Sequence, residues 1–288
     1  MFTNAVRAQP VNTCQRPLHS LYCHSVDPAM KVADVFAIPD ATEFIKSFDF
    51  SKLVVKDSSR DDHLTIGLAP SFRGKMLPEE FKKMDDNIKV MILGTTKAIS
   101  KIAPEDRTWK SVVAALQTNS LIEPDGEEIA RSDKLIKEND NFFKFSGAPD
   151  PSTVREVETW FHGLINDSDI SSATPINIEE LANIVAQTGA TVTGLESAIY
   201  KKEEHSKTVC DIGILRYPDI VHPFFKVYRL QLTAWSSCER IAGFQHDKNG
   251  ITGDFASRRY KPRDSVINGL KKEVRDIAIQ GAEDLIMG

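Results

Sequence analysis

Apolar residues recur at intervals of three and four over much of this chain, which is the pattern of helices that bury one face. The strongest example runs from Pro78 to Lys101. Proline and two glutamates at its start favour the N-terminus of a helix. Its apolar stripe is Phe81, Met84, Ile88, Met91 and Ile92. A second stripe, which includes Trp109 and Leu116, predicts a helix over about 105–117.

The second half of the chain carries further helical patterns. Ser152 is a plausible N-cap for a helix that reaches Leu164, and Asn177 for one that ends at Gly189. Pro223 opens an aromatic-rich stretch that continues to Trp235. The last stripe, which predicts a C-terminal helix, is Ile267, Leu270, Val274 and Ile277.

Strand-like alternation is scarce. Only 52–56 and 63–68 have the composition of short strands, and a pair of loops is the alternative there. The charged stretch 123–151 predicts an exposed connection with one short helix near 127–138, and it is the favoured boundary between lobes. The pattern as a whole predicts a mainly α protein, with a helical core of two small lobes and extended N- and C-terminal arms.

The predicted organisation therefore has four parts. They are a flexible arm at 1–30, a first part of the helical core at 31–150, a second part at 151–265, and a C-terminal helix or arm at 266–288. The first 26 residues contain Arg7 and Arg16 but no acid. This composition fits an arm that orders on a partner, and an organelle transit peptide is the alternative.

Composition narrows the function classes. The chain has 288 residues and a net charge of −5, which argues against a generally polycationic nucleic-acid binder. It lacks a run of 18 apolar residues, so no membrane partner is expected.

The four widely spaced cysteines do not form a disulfide framework. Cys14, His19, Cys23 and His24 lie close together but match no common zinc module, so no metal or cofactor is expected.

Common catalytic motifs are absent from the sequence, and we expect a protein that is not an enzyme. Neighbouring carboxylates such as Glu79 and Glu80 do not face each other on a helix, so they predict a solvated surface. A dyad of Cys210 or Cys238 with His222 stays open as an alternative.

Positive charge is concentrated in one window. Residues 201–275 hold 15 Lys or Arg and 9 acids, a net charge of +6, while the rest of the chain is at −11. Tyr217, Tyr228, Trp235 and Tyr260 are interleaved with these cations. Cations that neutralise phosphates, together with aromatic faces that stack on bases, are typical of a single-strand nucleic-acid groove. Solvated helix faces over an aromatic core are the alternative.

The order of features from about Pro175 to Gly269 resembles the coat proteins of flexible filamentous plant viruses. A small-residue cluster stands at 187–194, and an aromatic and basic segment follows from His222 to Trp235. The block Arg259 to Val266 resembles the R-F-x-A-F-D-F-F motif of that family. Arg259 and Asp264 have the motif's spacing, whereas Ser265 and Val266 replace its last two aromatics.

This resemblance implies a viral coat protein that polymerises through terminal arms into a flexible helical filament around single-stranded RNA. It implies localisation in the virion and the host cytoplasm. The RNA-binding residues that it implies are Thr191, Thr193, Lys226, Arg229, Arg259 and Asp264. Lys226 and Arg229 are alternative phosphate contacts, and Asp264 either orients Arg259 or contacts a ribose hydroxyl. A nucleoprotein of a negative-strand RNA virus and a soluble enzyme of an unrecognised helical family are the alternative functions.

Overall fold

A mixed β-sheet organises the protein. The computed structural model describes residues 54–72, 78–142, 148–192, 197, 199–242 and 244–287, all within the compact unit Asp49–Gly288. About 41% of the structure is helix and 41% is strand, so the prediction of a mainly α fold is wrong. Helices cover parts of both faces of the sheet, which is one of the standard layered solutions for burying apolar residues.

Five long strands make up the sheet in the spatial order β1-β3-β4-β5-β2. β1 pairs in parallel with β3, and the other neighbours are antiparallel. The strands are β1 Val54–Leu68, β2 Ile122–Phe142, β3 Tyr200–Tyr217, β4 Phe224–Ile241 and β5 Phe244–Pro262.

The stretch that begins at Pro223 is strand β4 rather than the predicted helix. Leu230, Leu232 and Ala234 pack on the helices of one face, which we call the first face. Phe225 and Val227 pack on the helices of the opposite, second face. Because both faces are buried at the start of the strand, large apolar residues occur at odd and even positions, and the period of two is obscured.

The charged stretch 123–151 also differs from its prediction. Most of it is the edge strand β2, which pairs with β5 and has an irregular register between Asp125 and Ile129. Its side chains are largely exposed, which is why the sequence shows no apolar alternation there. Charged residues on an edge strand also disfavour unwanted pairing with other chains. At the opposite edge, residues 54–56 and 63–68 of the two suggested short strands belong to the single strand β1.

Several of the predicted helices are present in the structure. The helices are α1 Glu79–Ser100, α2 Trp109–Gln117, α3 Pro151–Ile165, α4 Ser168–Ala173, α5 Ile178–Val185, α6 Asp264–Asn268 and α7 Lys272–Met287. The N-cap Asn177 is confirmed, because its side chain accepts a hydrogen bond from the Glu180 amide. The N-cap of α3 is Asp150 rather than Ser152, and the hydrogen bonds from Ser152 and Thr153 lower the pKa of Asp150 to about 2.

The helices build two separate cores on the sheet. Helices α3, α4 and α5 contribute Phe161, Ile170 and Leu181 to the core of the first face. Helices α1 and α2 contribute Met91 and Leu116 to the core of the second face. Helix α7 lies against α1 through the ion pair of Lys89 with Glu283, 2.8 Å long.

Several sequence predictions lie outside the described residues, including the N-terminal arm, the imagined zinc ligands and Thr193. The division of the chain at 30, 150 and 265 stays a prediction. Within the described part, no helix has the length and apolar content needed to cross a membrane.

Candidate nucleic-acid interface

A cleft of about 480 Å³ opens where β4 begins and β5 ends, and we call it the strand-end cleft. Strands β2, β4 and β5, the β3–β4 loop and the start of α6 all contribute to its wall. The lining residues are Asp125, Val221, His222, Pro223, Phe224, Arg259, Lys261, Pro262 and Asp264. The cleft therefore combines cations, carboxylates and an aromatic ring.

Strand register brings the charged residues of this region together. Arg259 lies directly opposite Lys226 on β4 and opposite Asp125 on β2. Residues that are directly opposite in neighbouring strands project to the same face. Asp125, Arg259 and Lys226 thus form a row across three strands on the first face of the sheet.

Aromatic rings lie beneath two of these cations. Tyr217 and Phe224 stack with their ring centroids 4.4 Å apart and their planes 10° from parallel. The Arg259 guanidinium carbon is 5.3 Å from the centre of the Phe224 ring, and the Lys226 ammonium nitrogen is 5.1 Å from that of Tyr217. Burial raises the pKa of Tyr217 far above its ordinary value, so its ring stays neutral. Such cation–π contacts hold both cations against a rigid apolar surface.

Each cation near the cleft also has an acidic neighbour. Arg259 is 3.5 Å from Asp125, and Lys261 is 3.1 Å from Glu123. Lys226 is bonded to Asp167 of the α3–α4 connection. The side chains of Arg259 and Lys261 are nonetheless about half exposed, at 47% and 48%, so they can reach a ligand.

Two local features shape the cleft wall. The Asp219 carboxylate accepts hydrogen bonds from the amides of Val221 and His222, at 2.8 and 3.0 Å, and so fixes the turn before β4. Gly126, beside the irregular register of β2, has a φ of +82°. A Cβ at this position would stand 3.0 Å from the Arg259 Nη2 atom, so glycine leaves room for the guanidinium.

The predicted pairing of Arg259 with Asp264 does not form. Arg259 contacts Asp125 instead, and Asp264 takes part in no ion pair among the described residues. Both residues still line the same cleft. The sequence-predicted residues that meet at this end of the sheet are therefore Lys226, Arg259 and Asp264.

Arg229 lies on the other face of the sheet. Its Nε donates to the carbonyl oxygen of Arg107 at 2.6 Å, and its guanidinium also contacts Gln231. A helix would place Lys226 and Arg229 on one side, but in a strand residues three apart point in opposite directions. The structure thus separates the two alternative phosphate contacts.

Thr191 is remote from the cleft. Its amide donates to Glu203 at 3.1 Å, and its carbonyl accepts from Lys201 at 3.0 Å. Glu203 pairs with Cys238, which is about 40 Å along β4 from Lys226 at about 3.3 Å per residue. Thr191 and the strand-end cleft therefore do not form one site.

The predicted RNA-binding residues include only Arg259 and Asp264 of the cleft lining, so Lys261, His222 and Phe224 are among the lining residues that the sequence analysis does not single out. Lys261 stands inside the Arg259–Val266 block, so its place in that motif was a usable signal. The helical pattern predicted from Pro223 places His222 and Phe224 at the start of a helix, whereas Phe224 begins strand β4. Their position just after the Pro218–Asp219 turn was the available sign of a strand-end location.

The structure gives less support to a Cys–His dyad or to metal binding than to the cleft. Cys210 and Cys238 are both buried, and burial raises the pKa of each thiol, which disfavours the nucleophilic thiolate that a dyad with His222 needs. Among the residues that the structure describes, no group of three or more His, Cys, Asp or Glu side chains is arranged to hold a metal ion.

No protein-family model matches the chain, and no curated protein matches it.

Proposed function

We propose that this chain binds single-stranded RNA in the strand-end cleft, as a coat protein that assembles along the nucleic acid. The observation that carries the proposal is the meeting of Arg259, Lys261 and Phe224 in one open cleft. Two exposed cations suit the phosphates of a flexible strand. The half-exposed Arg259 guanidinium beside the Phe224 ring offers a surface on which a base can stack.

The size and charge of the cleft suggest weak binding by each subunit. A volume of about 480 Å³ suits a nucleotide rather than a longer segment. The carboxylates beside Arg259 and Lys261 offset most of their charge, so phosphate has to compete with Asp125 and Glu123. Tight binding then requires many copies along one RNA, whose contacts add through a high effective concentration.

The resemblance to filamentous coat proteins supports this proposal only through residue order. The segment His222–Trp235, a helix in that comparison, is mainly strand β4 in this chain. Polymerisation, virion localisation and the role of terminal arms consequently rest on the sequence, while the RNA contact rests on the cleft.

Salt-dependent binding tests the RNA contact. We expect labelled oligo(U) to bind with a slope of log K against log salt of about −1.4 to −2.1, for two or three phosphate contacts at about −0.7 each. Changing Arg259 and Lys261 together to Ala should reduce the magnitude of that slope by about 1.4. Fluorescence anisotropy across a salt series measures both quantities.

Two control variants sharpen the test. Lys271→Ala with Lys272→Ala removes the same charge from an exposed site elsewhere, and Arg229→Ala removes a cation from the second face. Both should leave the slope within error of the wild type. Equal losses in the cleft variant and the Lys271/Lys272 control would assign binding to net charge alone, and absent binding by the wild type would refute the RNA proposal.

A further inference from the structure

The described helices cover the second face of the sheet along only part of its length. The core of that face includes Ile212 of β3 and Val227 of β4, but no described residue of β4 beyond Val227 belongs to it. From Thr233 to Ile241, the β4 side chains of this face are half-buried or exposed, whereas those that alternate with them toward the first face are buried. We call this region the open sheet face. It consists of the even-numbered residues in 54–60 of β1, 134–138 of β2, 202–208 of β3 and 246–252 of β5, with the odd-numbered residues in 233–241 of β4.

Trp235 stands on the central strand of the open sheet face. Its ring lies against Gly250 of β5, where a Cβ would be only 2.5 Å from a ring carbon. Three apolar side chains of the same face are exposed, by 46% for Ile136, 55% for Ile241 and 36% for Val54. Exposed apolar groups that cluster on one surface are typical of a site where another macromolecule binds.

A row of polar and charged side chains crosses the open sheet face beside Trp235. From β1 to β2 its residues are Lys56, Glu204, Ser237, Lys248 and Glu138. Lys56 is 2.9 Å from Glu204, and Lys248 is 4.0 Å from Glu138. The signs along the row are positive, negative, neutral, positive and negative. When the row is read from β2 to β1, every charged position has the opposite sign, so the row is complementary to a reversed copy of itself.

A twofold axis between two facing sheets performs this reversal when it runs along β4. The central strand β4 then faces β4 of the second copy, β1 faces β2, and β3 faces β5. Lys56 faces Glu138 of the second copy, and Glu204 faces Lys248. Trp235 lies near the axis, beside Trp235 of the second copy. Facing sheets pack about 10 Å apart with their strands within about 30° of each other, a separation that opposed lysine and glutamate side chains span.

The area of the open sheet face fits a weak dimer. Five strands about 4.8 Å apart are about 19 Å wide, and nine residues of β4 at about 3.3 Å each are about 30 Å long. The face thus offers about 570 Å² on each copy, or about 1,100 Å² in total, which is near the lower limit for specific interfaces. Its apolar centre and charged rim have the usual arrangement of such interfaces.

We propose that the open sheet face binds the same face of a second copy and forms a closed twofold dimer. This contact is independent of RNA binding, because the strand-end cleft lies at the other end of β4. It also differs from polymerisation through terminal arms, since a face that pairs with itself is used up once two copies have met.

Analytical ultracentrifugation of the full chain without RNA tests the dimer. The wild type should change from monomer to dimer as its concentration rises, with a Kd on the order of 10 µM. Trp235→Ala removes the central aromatic side chain and should raise that Kd more than tenfold, as expected for a tryptophan at the centre of an interface.

Exchange of charge between two variants gives the sharpest test. Lys56→Glu places two glutamates opposite each other in the dimer, and Glu138→Lys places two lysines there. Because each contact occurs twice, we expect either variant to raise the Kd by about tenfold. An equimolar mixture of the two should recover wild-type association, since both contacts of the mixed dimer pair a glutamate with a lysine. Within one chain the two positions are on opposite edges of the sheet, about 19 Å apart, and do not compensate each other.

Lys97→Glu is the matched control, because it reverses an exposed charge on α1. It should leave the Kd unchanged, and circular dichroism of every variant checks that the fold is retained. A wild type that stays monomeric at all concentrations would overturn the dimer, and the RNA proposal would be unaffected. Association of equal strength in all variants, or a mixture that associates no better than its two components, would place the contact elsewhere and refute this interface.

Discussion

Asp211 shows at the scale of one residue how this fold accommodates a fully buried carboxyl group. The hydroxyls of Thr174 and Tyr228 each donate to its Oδ2 at 2.8 Å, and the Thr65 hydroxyl donates to its Oδ1 at the same distance. These bonds join β1, β3, β4 and the segment after α4. Burial nevertheless raises the pKa of Asp211, because the surrounding core disfavours the charged form more than the three donors favour it.

The raised pKa of Asp211 makes its contribution to stability depend on pH. The folded state keeps the proton to a higher pH than the unfolded chain, whose ordinary aspartate value is 3.8. The contribution is therefore present at low pH and is lost as pH rises through the raised pKa. Asp211→Asn cannot titrate, so we expect the stability gap between wild type and variant to be largest near pH 4 and to narrow at higher pH.

Urea unfolding of both proteins from pH 4 to pH 8 measures that gap. Asp276→Asn, an exposed change on α7, serves as the control and should give no such trend. If the wild-type and Asp211→Asn profiles run parallel, the residue does not titrate in this range.

At the scale of elements, an ion pair joins helix α1 to strand β3. The Arg216 Nη1 atom donates to both carboxylate oxygens of Asp85, at 2.9 and 2.8 Å. The two side chains are only 8% and 11% exposed. Lys89, 3.4 Å from Asp85, extends the network to Glu283 on α7. Polar groups in this layer thus orient two helices on the second face of the sheet.

Removal of one partner of the Arg216–Asp85 ion pair should lower the free energy of unfolding. Asp85→Ala leaves the buried charge of Arg216 without its carboxylate partner, and we expect a loss of about 3–5 kcal/mol in the free energy of unfolding. Combining Asp85→Leu with Arg216→Met removes both charges and should recover most of that loss. Guanidinium denaturation measures the effect, with Lys83→Ala on the exposed side of α1 as control. A loss below about 1 kcal/mol for Asp85→Ala would show that water reaches the pair.

At the scale of the whole molecule, the two apolar cores of the described part of the chain use residues between Leu64 and Ile267. The first 26 residues, which contain no acid, are the predicted assembly arm. Folding and polymerisation should therefore depend on different parts of the chain.

Deletion of residues 1–26 tests this division. We expect the shortened chain to keep a far-ultraviolet circular dichroism spectrum with comparable helix and strand and a melting temperature close to that of the full chain. Negative-stain microscopy with RNA should show filaments only for the full chain. Filaments that persist after the deletion, or an unfolded product, would disprove the assembly arm.

The amino-acid sequence by itself determined the helices whose signals are local. Helix α1 follows from its stripe and its acidic first turn, and α5 from the cap at Asn177. Such signals act between residues three or four apart, so they can be recognised in the sequence without knowledge of the tertiary structure. The excess of Lys and Arg over acids between 201 and 275 is also evident from the sequence alone.

Only the tertiary structure decided which of those residues meet. Lys226 and Arg259 are far apart in the chain, and the antiparallel register of β4 and β5 places them opposite each other. The same strand geometry sends Arg229 to the other face. Strand pairing depends on partners distant in sequence and on which faces the helices cover. A stretch buried on both faces, such as the start of β4, therefore carries no local mark that distinguishes it from a helix.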